Sequence, residues 1–411
     1  MEETNQFDNI NDLIKKNIEF ENINNLMQNF DNINNLFSDN SYLKKYINYN
    51  LNKNNFEIIK YLILNIRKIK LNDYIVKIAC KNGDLEIIKF LINNNLITLH
   101  YNYLLKITCD YCYMQIFDNW LQNKLFKNNI KDNNHLEIVK FLIENGADIH
   151  IENEYPLRIS CENRNFEIIK YLIENGADVN VNNDYPLRSV CESEIQNFNI
   201  IKFLLENGAD VHINNDYPLR ISCENETPNI EIIKILLEYG ANIHVDNDYP
   251  LKIICENEIP YIEIVKLLIE YGADIHANGD YLIEVTSENE NFEISKLLIE
   301  KGGNINILNN PIIFSQICYY GYFDIFKFLY ENNFEFNQNN IKMLFDHNHF
   351  DIIKYLCSKN YIFNYNMITE KTNFEIFKYL INNKKIKINY DYFHNIYKNN
   401  SEFNNLIKIK K

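Results

Sequence analysis

Apolar positions recur along the chain in two alternating words. In FEIIKYLIENG, Ile168, Ile169, Leu172 and Ile173 fall at i, i+1, i+4 and i+5, which predicts a helix with one apolar face turned to its neighbours. Lys170 and Glu174 sit four apart on the wet side, spaced to pair. Gly176 follows directly, as glycine does at a helix end. The shorter word, PLRISCEN from Pro156, predicts a first helix, because proline fits the first helical position, where its missing N–H costs nothing. A polar turn joins the two words. Together they run from Glu154 to Asp178, and they return as DYPLRSVCE at Asp184, DYPLRISCE at Asp216 and DYPLKIICE at Asp248. The second word returns as EIIKILLEYGAN from Glu231 and EIVKLLIEYGAD from Glu263. A fixed period near thirty residues is the mark of a stacked repeat array.

The copies are counted on the lysine of the second word. It falls at Lys60, Lys89, Lys140, Lys170, Lys202, Lys234, Lys266, Lys296, Lys327, Lys354 and Lys378. The 51-residue gap after Lys89 is filled by a worn copy from Tyr101, with Asp118 at the lysine position. The units so read span 72–101, 102–131, 153–182, 183–214, 215–246, 247–278, 279–308 and 309–339, within an array covering 51–390. Beyond Lys327 the lysine spacing contracts to 27 and then 24 residues, so bare helix pairs are expected over 340–390. Residues 1–50 hold a shorter echo, FDNINDL from Phe7, FENINNL from Phe20 and FDNINNL from Phe30. Its spacing suits short amphipathic helices, either as a cap on the array or as a docking arm. Residues 391–411 form a tail ending in the basic LIKIKK, read as solvated terminus with a nuclear-import signal as the weaker alternative. Four buried aliphatics stabilise one second helix by roughly 6–12 kcal/mol gross. Chain entropy offsets most of that, so a single unit is not expected to fold without neighbours.

This grammar resembles the ankyrin repeat, whose usual pattern is TPLHxAA…GHxEVVKLLLxxGADVN. The words YPLR, CEN and EIIKYLIENGADV match it from about Asn72 to Asn339. The resemblance implies an all-α solenoid of stacked helix-turn-helix units with short β-hairpin-like fingers. It also implies a non-enzymatic scaffold that binds a partner protein, a host protein if the source is viral, on the concave surface. The dialect and its Asn, Ile and Lys bias look like the ankyrin proteins of giant DNA viruses of amoebae, mimivirus-like, with an Asn-rich protist protein as the other source. Some viral ankyrin proteins recruit host proteins to a ubiquitin ligase. An adaptor role is therefore an alternative, although no ligase-docking box is recognisable at either end.

Three departures from the family pattern stand out. Gly176 to Pro186 is 10 residues, as are the equivalent steps from Gly146, Gly208 and Gly240, about three short of the family, so the fingers should be short. Pro186 to Gly208, Pro218 to Gly240 and Pro250 to Gly272 are each 22 residues against 20 for Pro156 to Gly176. The extra residues lie between the helices, around Ile195-Gln196, Thr227-Pro228 and Ile259-Pro260. Tyr155, Tyr185, Tyr217 and Tyr249 replace the pattern's threonine. Tyrosine is a poor N-cap, and the acid before each one (Glu154, Asp184, Asp216, Asp248) is placed to serve the helix N-terminus electrostatically.

The composition narrows the function. With 41 basic and 56 acidic residues the formal charge is −15, which opposes contact with nucleic acid or an anionic membrane. No apolar run approaches the roughly 18 residues of a membrane span, and the acidic start does not resemble a signal peptide. Nine cysteines in such a chain suggest reduced thiols and a cytoplasmic or nuclear home, as a monomer. The Asn, Ile, Lys and Tyr excess shares AT-rich codons and is read first as genomic.

Candidate chemistry is sparse. Cys109 and Cys112 have CxxC spacing, a redox or zinc half-site in other settings. But Cys80, Cys109, Cys161, Cys191, Cys223, Cys255 and Cys318 share one repeat position, so they are read as core. His150, His212, His244 and His276 also share a position. Stacked helices lie about 8–10 Å apart, too far for adjacent histidines to share a zinc with bonds of about 2 Å. Arg158, Arg188, Arg220 and Lys252 form a ladder on the first helices, each four residues after an acid, broken at Glu284. They read as intra-repeat ion pairs or as donors for an acidic partner segment. With Asp184, Asp216 and Asp248 they are the candidate partner-binding set. No nucleotide, metalloprotease or serine-hydrolase motif occurs, so neither an active site nor a cofactor or metal is expected, and an enzyme with its chemistry outside the repeats, in residues 1–50 or the C-terminal end, is the weaker alternative.

Overall fold

The computed structural model describes residues 8–12, 40–53, 55–65, 69–112, 134–194, 196–277, 279–309, 311–334, 336–387, 389–397 and 403. It separates into two compact units, Met1–Ala241 and Asn242–Lys411. Among the described residues both are helical. No strand is formed there beyond an isolated parallel bridge of Phe363 to Ile386.

In the first unit, first and second helices alternate: α1 (Ile151–Glu162), α2 (Phe166–Glu174), α3 (Val181–Glu192), α4 (Phe198–Glu206), α5 (Ile213–Glu224) and α6 (Ile230–Glu238). First helices stack on first helices, α1 on α3 and α3 on α5, while α2, α4 and α6 line up beside them. The second helices show why the word is written as it is. Asn165 caps α2 by accepting from the Ile168 N–H at 3.2 Å, and Asn197 caps α4 on the N–H groups of Asn199 and Ile200. Asn229 does the same on Glu231. Such caps contribute about 1 kcal/mol each, so part of the asparagine excess is structural. Ile168, Ile169 and Leu172 are buried, with Ile173 at the margin of the apolar face.

The helix ends are equally regular. Gly176 N–H bonds the Ile173 carbonyl and Ala177 N–H the Leu172 carbonyl, both at 3.0 Å. This paired closure needs a left-handed residue at its bend, and Gly176 has φ of 100°. A Cβ there would meet nothing within 4 Å, so the demand is conformational alone. Gly176→Ala should cost about 1 kcal/mol, read as a shifted urea midpoint with an unchanged slope.

The short connectors between units are present, in a form without strands. In each, three consecutive residues are left-handed: Glu152-Asn153-Glu154, Asn182-Asn183-Asp184 and Asn214-Asn215-Asp216 in the first unit, and Asp246-Asn247-Asp248 in the second. The chain then passes into the right-handed helix at the Tyr-Pro pair. Three successive left-handed residues cost most side chains about 1–2 kcal/mol each, and Asn and Asp least. One tight left-handed turn thus does the work of a finger in fewer residues.

Several expectations fall outside the described residues. These are the words at Phe20 and Phe30, Ile195, the worn second helix with Asp118, and LIKIKK. Of the first word, residues 8–12 are helical, and Asn11 accepts from the buried Tyr46 hydroxyl. In the second unit the contraction after Lys327 has a clear physical form. A helix pair (Gln338–Asp346 and Phe350–Ser358) is followed by only a 3₁₀ turn, Tyr365–Met367, before Phe374–Asn382. Twenty-four residues cannot hold two helices and two turns, so the first helix shrinks to that turn. Aromatic packing takes over beyond it, with Phe377 against Phe393, Tyr397 and Phe403 at 4.7, 4.9 and 5.9 Å between ring centres.

Candidate interaction surface

The first helices expose a repeated row of tyrosine, arginine and glutamate. Tyr155, Tyr185, Tyr217 and Tyr281 each donate to the acid that follows the cysteine one unit earlier. Tyr155 bonds Asp110 at 2.6 Å, Tyr185 bonds Glu162 at 2.7 Å and Tyr217 bonds Glu192 at 3.0 Å. In the second unit Tyr281 bonds Glu256 at 3.1 Å. Partial burial, then the carboxylate bond, pushes the Tyr185 phenol up to about 12, so it stays a neutral donor. Tyrosine thus replaces the pattern's threonine as a strut between units, and the pairing of Tyr-Pro with Cys-Glu words was its sequence signal.

The arginines do not pair with the acids four residues before them. Arg188 Nε donates to the Asn183 carbonyl at 2.8 Å and its Nη2 to the Asn182 carbonyl at 3.1 Å. Arg158 and Arg220 repeat this on Asn153 and Glu152, and on Asn215 and Asn214. The guanidinium fork thus closes the left-handed turn, whose carbonyls have no helical partner. Arg158 also lies 5.7 Å from the Tyr155 ring and 5.8 Å from the Tyr185 ring, at cation–π distance. Among the described residues, Nη1 of Arg158 and of Arg188 makes no hydrogen bond. Lys252, in the second unit, instead faces Glu256 at 3.9 Å.

The aspartates of the candidate set are placed differently from the basic residues. Asp184, Asp216 and Asp248 are only 4–5% exposed, which removes them from the surface a partner would touch. Asp184 Oδ1 accepts from the Asn180 side chain and from the Asp210 N–H, both at 2.8 Å. Their position before the helix is as expected, but their carboxylates are spent inside the connectors. Linear spacing could not show this, because the left-handed turn rotates the acid inward.

The remaining candidates stay structural. Cys80, Cys109, Cys161, Cys191, Cys223, Cys255 and Cys318 are buried free thiols, and so is Cys112. Cys112 Sγ donates to the Cys109 carbonyl at 3.0 Å. Burial pushes the Cys191 thiol up to about 12 and Cys109 well above its usual value, which suppresses thiolate reactivity. Each histidine of the ladder faces a carboxylate four residues on. Among the described residues no three His, Cys, Asp or Glu side chains group to hold a metal. No described helix is long and apolar enough to cross a membrane. On the outer helices Lys170–Glu174, Lys202–Glu206, Lys234–Glu238 and Lys296–Glu300 approach to 3.8–4.0 Å as spaced. Lys266 turns instead to Glu263, three residues back, at 2.7 Å.

Residues 129–215 and 195–279 match the model of the ankyrin repeat family in its three-copy form. The match takes in residues 129–279, so the middle of the chain is similar to ankyrin repeats. Among solved structures, a human ASB11 ankyrin repeat domain is similar at 20% identity, with a TM-score of 0.40, over 56% of this chain and 98% of that one. No curated protein matches the chain. Ankyrin repeats are in general protein–protein interaction modules, and within each unit the repeats here are all-α, without strands among the matched and described residues.

Proposed function

We propose that this chain is a non-enzymatic scaffold that holds a partner protein on the face made by its first helices and connectors. The observation that supports it is the pre-organised row on α1, α3 and α5. Tyr155, Arg158, Tyr185, Arg188, Tyr217 and Arg220 are each half-exposed yet held by bonds within the repeats. Tyrosine and arginine are the residues that most often dominate interface energies. A side chain already fixed loses little entropy when bound. The Nη1 edges of Arg158 and Arg188 suit a carboxylate-bearing partner segment. The dialect of the repeats supports an amoebal host as the source of that partner.

The test is affinity capture from amoebal lysate, read by mass spectrometry, with three baits. The wild type is compared with Arg158, Arg188 and Arg220 all changed to Glu, and with Lys170, Lys202 and Lys234 all changed to Glu on the outer helices. Circular dichroism verifies that each bait is folded. A protein kept by the lysine variant and lost by the arginine variant, at least tenfold, is the expected result. Equal capture by all three baits would move binding away from the first helices.

A further inference from the structure

At one register of four connectors an imidazole meets a carboxylate. His150 Nδ1 lies 2.6 Å from Glu154 Oε1, and His212 Nδ1 lies 2.9 Å from Asp216 Oδ1. In the second unit His244 lies 3.0 Å from Asp248 Oδ1, and His276 lies 2.9 Å from Asp280. One connector differs: Asn180 offers an amide to Asp184 Oδ1 at 2.8 Å. In three of these connectors the same carboxylate oxygen also reaches the next connector, Asp280 Oδ1 by accepting from the Asn304 N–H at 3.4 Å. Asp184 Oδ1 accepts from Asp210 N–H and Asp248 Oδ1 from Asp274 N–H, each at 2.8 Å. Glu154, Asp216 and Asp248 are buried and Asp280 partly so, while the imidazoles are more than half exposed. Protons therefore reach the histidine from solvent, and its counter-charge stays locked in the fold.

We propose that the histidine connectors are proton-operated latches, in which the imidazolium holds the buried carboxylate that ties one repeat to the next and loses grip when it is deprotonated. An amide cannot change charge between pH 5 and 8, whereas imidazole does. Around His150 the neighbours favour the charged form. His150 faces Glu154 and Asp148 on its own connector and Asp178 on the following one. Lys106, from the helix Tyr101–Tyr111, is drawn to Glu152 instead. His244 has Asp246 and Asp248 on its own connector and, at the register of Asp178, Asp274 on the next.

The bond to Glu154, foremost, raises the His150 pKa. A raised folded value means stabilisation that is complete below the unfolded value of about 6.5 and lost as pH climbs through the folded one. Glu154 Oε2 is buried without a hydrogen-bond partner. Neutral His150 would thus leave that buried carboxylate poorly compensated.

Amide hydrogen exchange on the full chain tests this with an internal control. Exchange is followed from pH 5.5 to 8.5 by mass spectrometry with residue-level fragmentation, corrected for intrinsic rates. Protection of the Asp274 amide should fall about fivefold to tenfold over that range as the imidazolium that holds its acceptor, Asp248, becomes a neutral donor and fixes that carboxylate less firmly. The Asp210 amide, held by the Asn180–Asp184 latch, should change by less than about twofold. His244→Asn should abolish the pH dependence at Asp274. A parallel fall at both amides, or a flat profile at Asp274, would overturn the proposal, and the wild-type comparison decides even if the variant does not fold.

Discussion

Leu172→Asp should unfold the repeats on either side of α2, not α2 alone. Leu172 is wholly buried, and its carbonyl receives the Ala177 N–H that closes the helix. Truncating such a leucine to alanine costs about 2–5 kcal/mol, and an uncompensated carboxylate costs more, because burial in a low-dielectric core opposes ionisation. Stability of a repeat array is close to a sum of unit and interface terms. Removing one unit also removes its two interfaces, with the helices Tyr101–Tyr111 and Val181–Glu192 each left against nothing on one side. Far-ultraviolet circular dichroism should lose the signal of several units, and limited proteolysis should cut within residues 134–241. A loss confined to a single helix would be evidence against obligate stacking.

Asp184→Ala should destabilise the first unit by about 2–4 kcal/mol, large for a residue with no part in the apolar core. Two effects add. The Asp210 N–H loses its acceptor and the Asn180 amide keeps only the Gly208 carbonyl when the 4%-exposed Asp184 carboxylate is removed, and a donor left unsatisfied costs about 1–3 kcal/mol. Alanine at φ of 50° also meets the left-handed penalty, which Asp bears more easily. Asp184→Asn keeps an acceptor oxygen and a residue tolerant of that conformation, so it should lose only about 1 kcal/mol. Urea midpoints at fixed slope give the ranking. Equal losses for the two variants would show that the negative charge, not the acceptor, holds the connector.

How far the sequence could be read divides along these two residues. Leu172 was legible because a helix obeys a local period. Ile168, Ile169 and Leu172 must share a face whatever surrounds them. The same holds for Gly176 at the helix end and for the cysteine position, which only a core could repeat with such constancy. Asp184 was legible as a recurring acid but not in its role. Charge four residues before an arginine reads as an ion pair on a continuous helix, whereas here a left-handed turn intervenes. That turn sends the acid inward and leaves the arginine its carbonyls.

The sequence by itself determined the all-helical repeat, its period, its apolar stripes and its short connectors, since each follows from contacts within a few residues of one another. It also marked the row of Tyr155, Arg158, Tyr185, Arg188, Tyr217 and Arg220 as recurring. The tertiary structure decided which of those recurring side chains face outward and which partners they take. Tyr185 finds Glu162 twenty-three residues away, and Asp184 finds the backbone of Asp210. Such partners are chosen when one repeat settles on the next, and backbone donors carry no side-chain signature in the sequence to announce them.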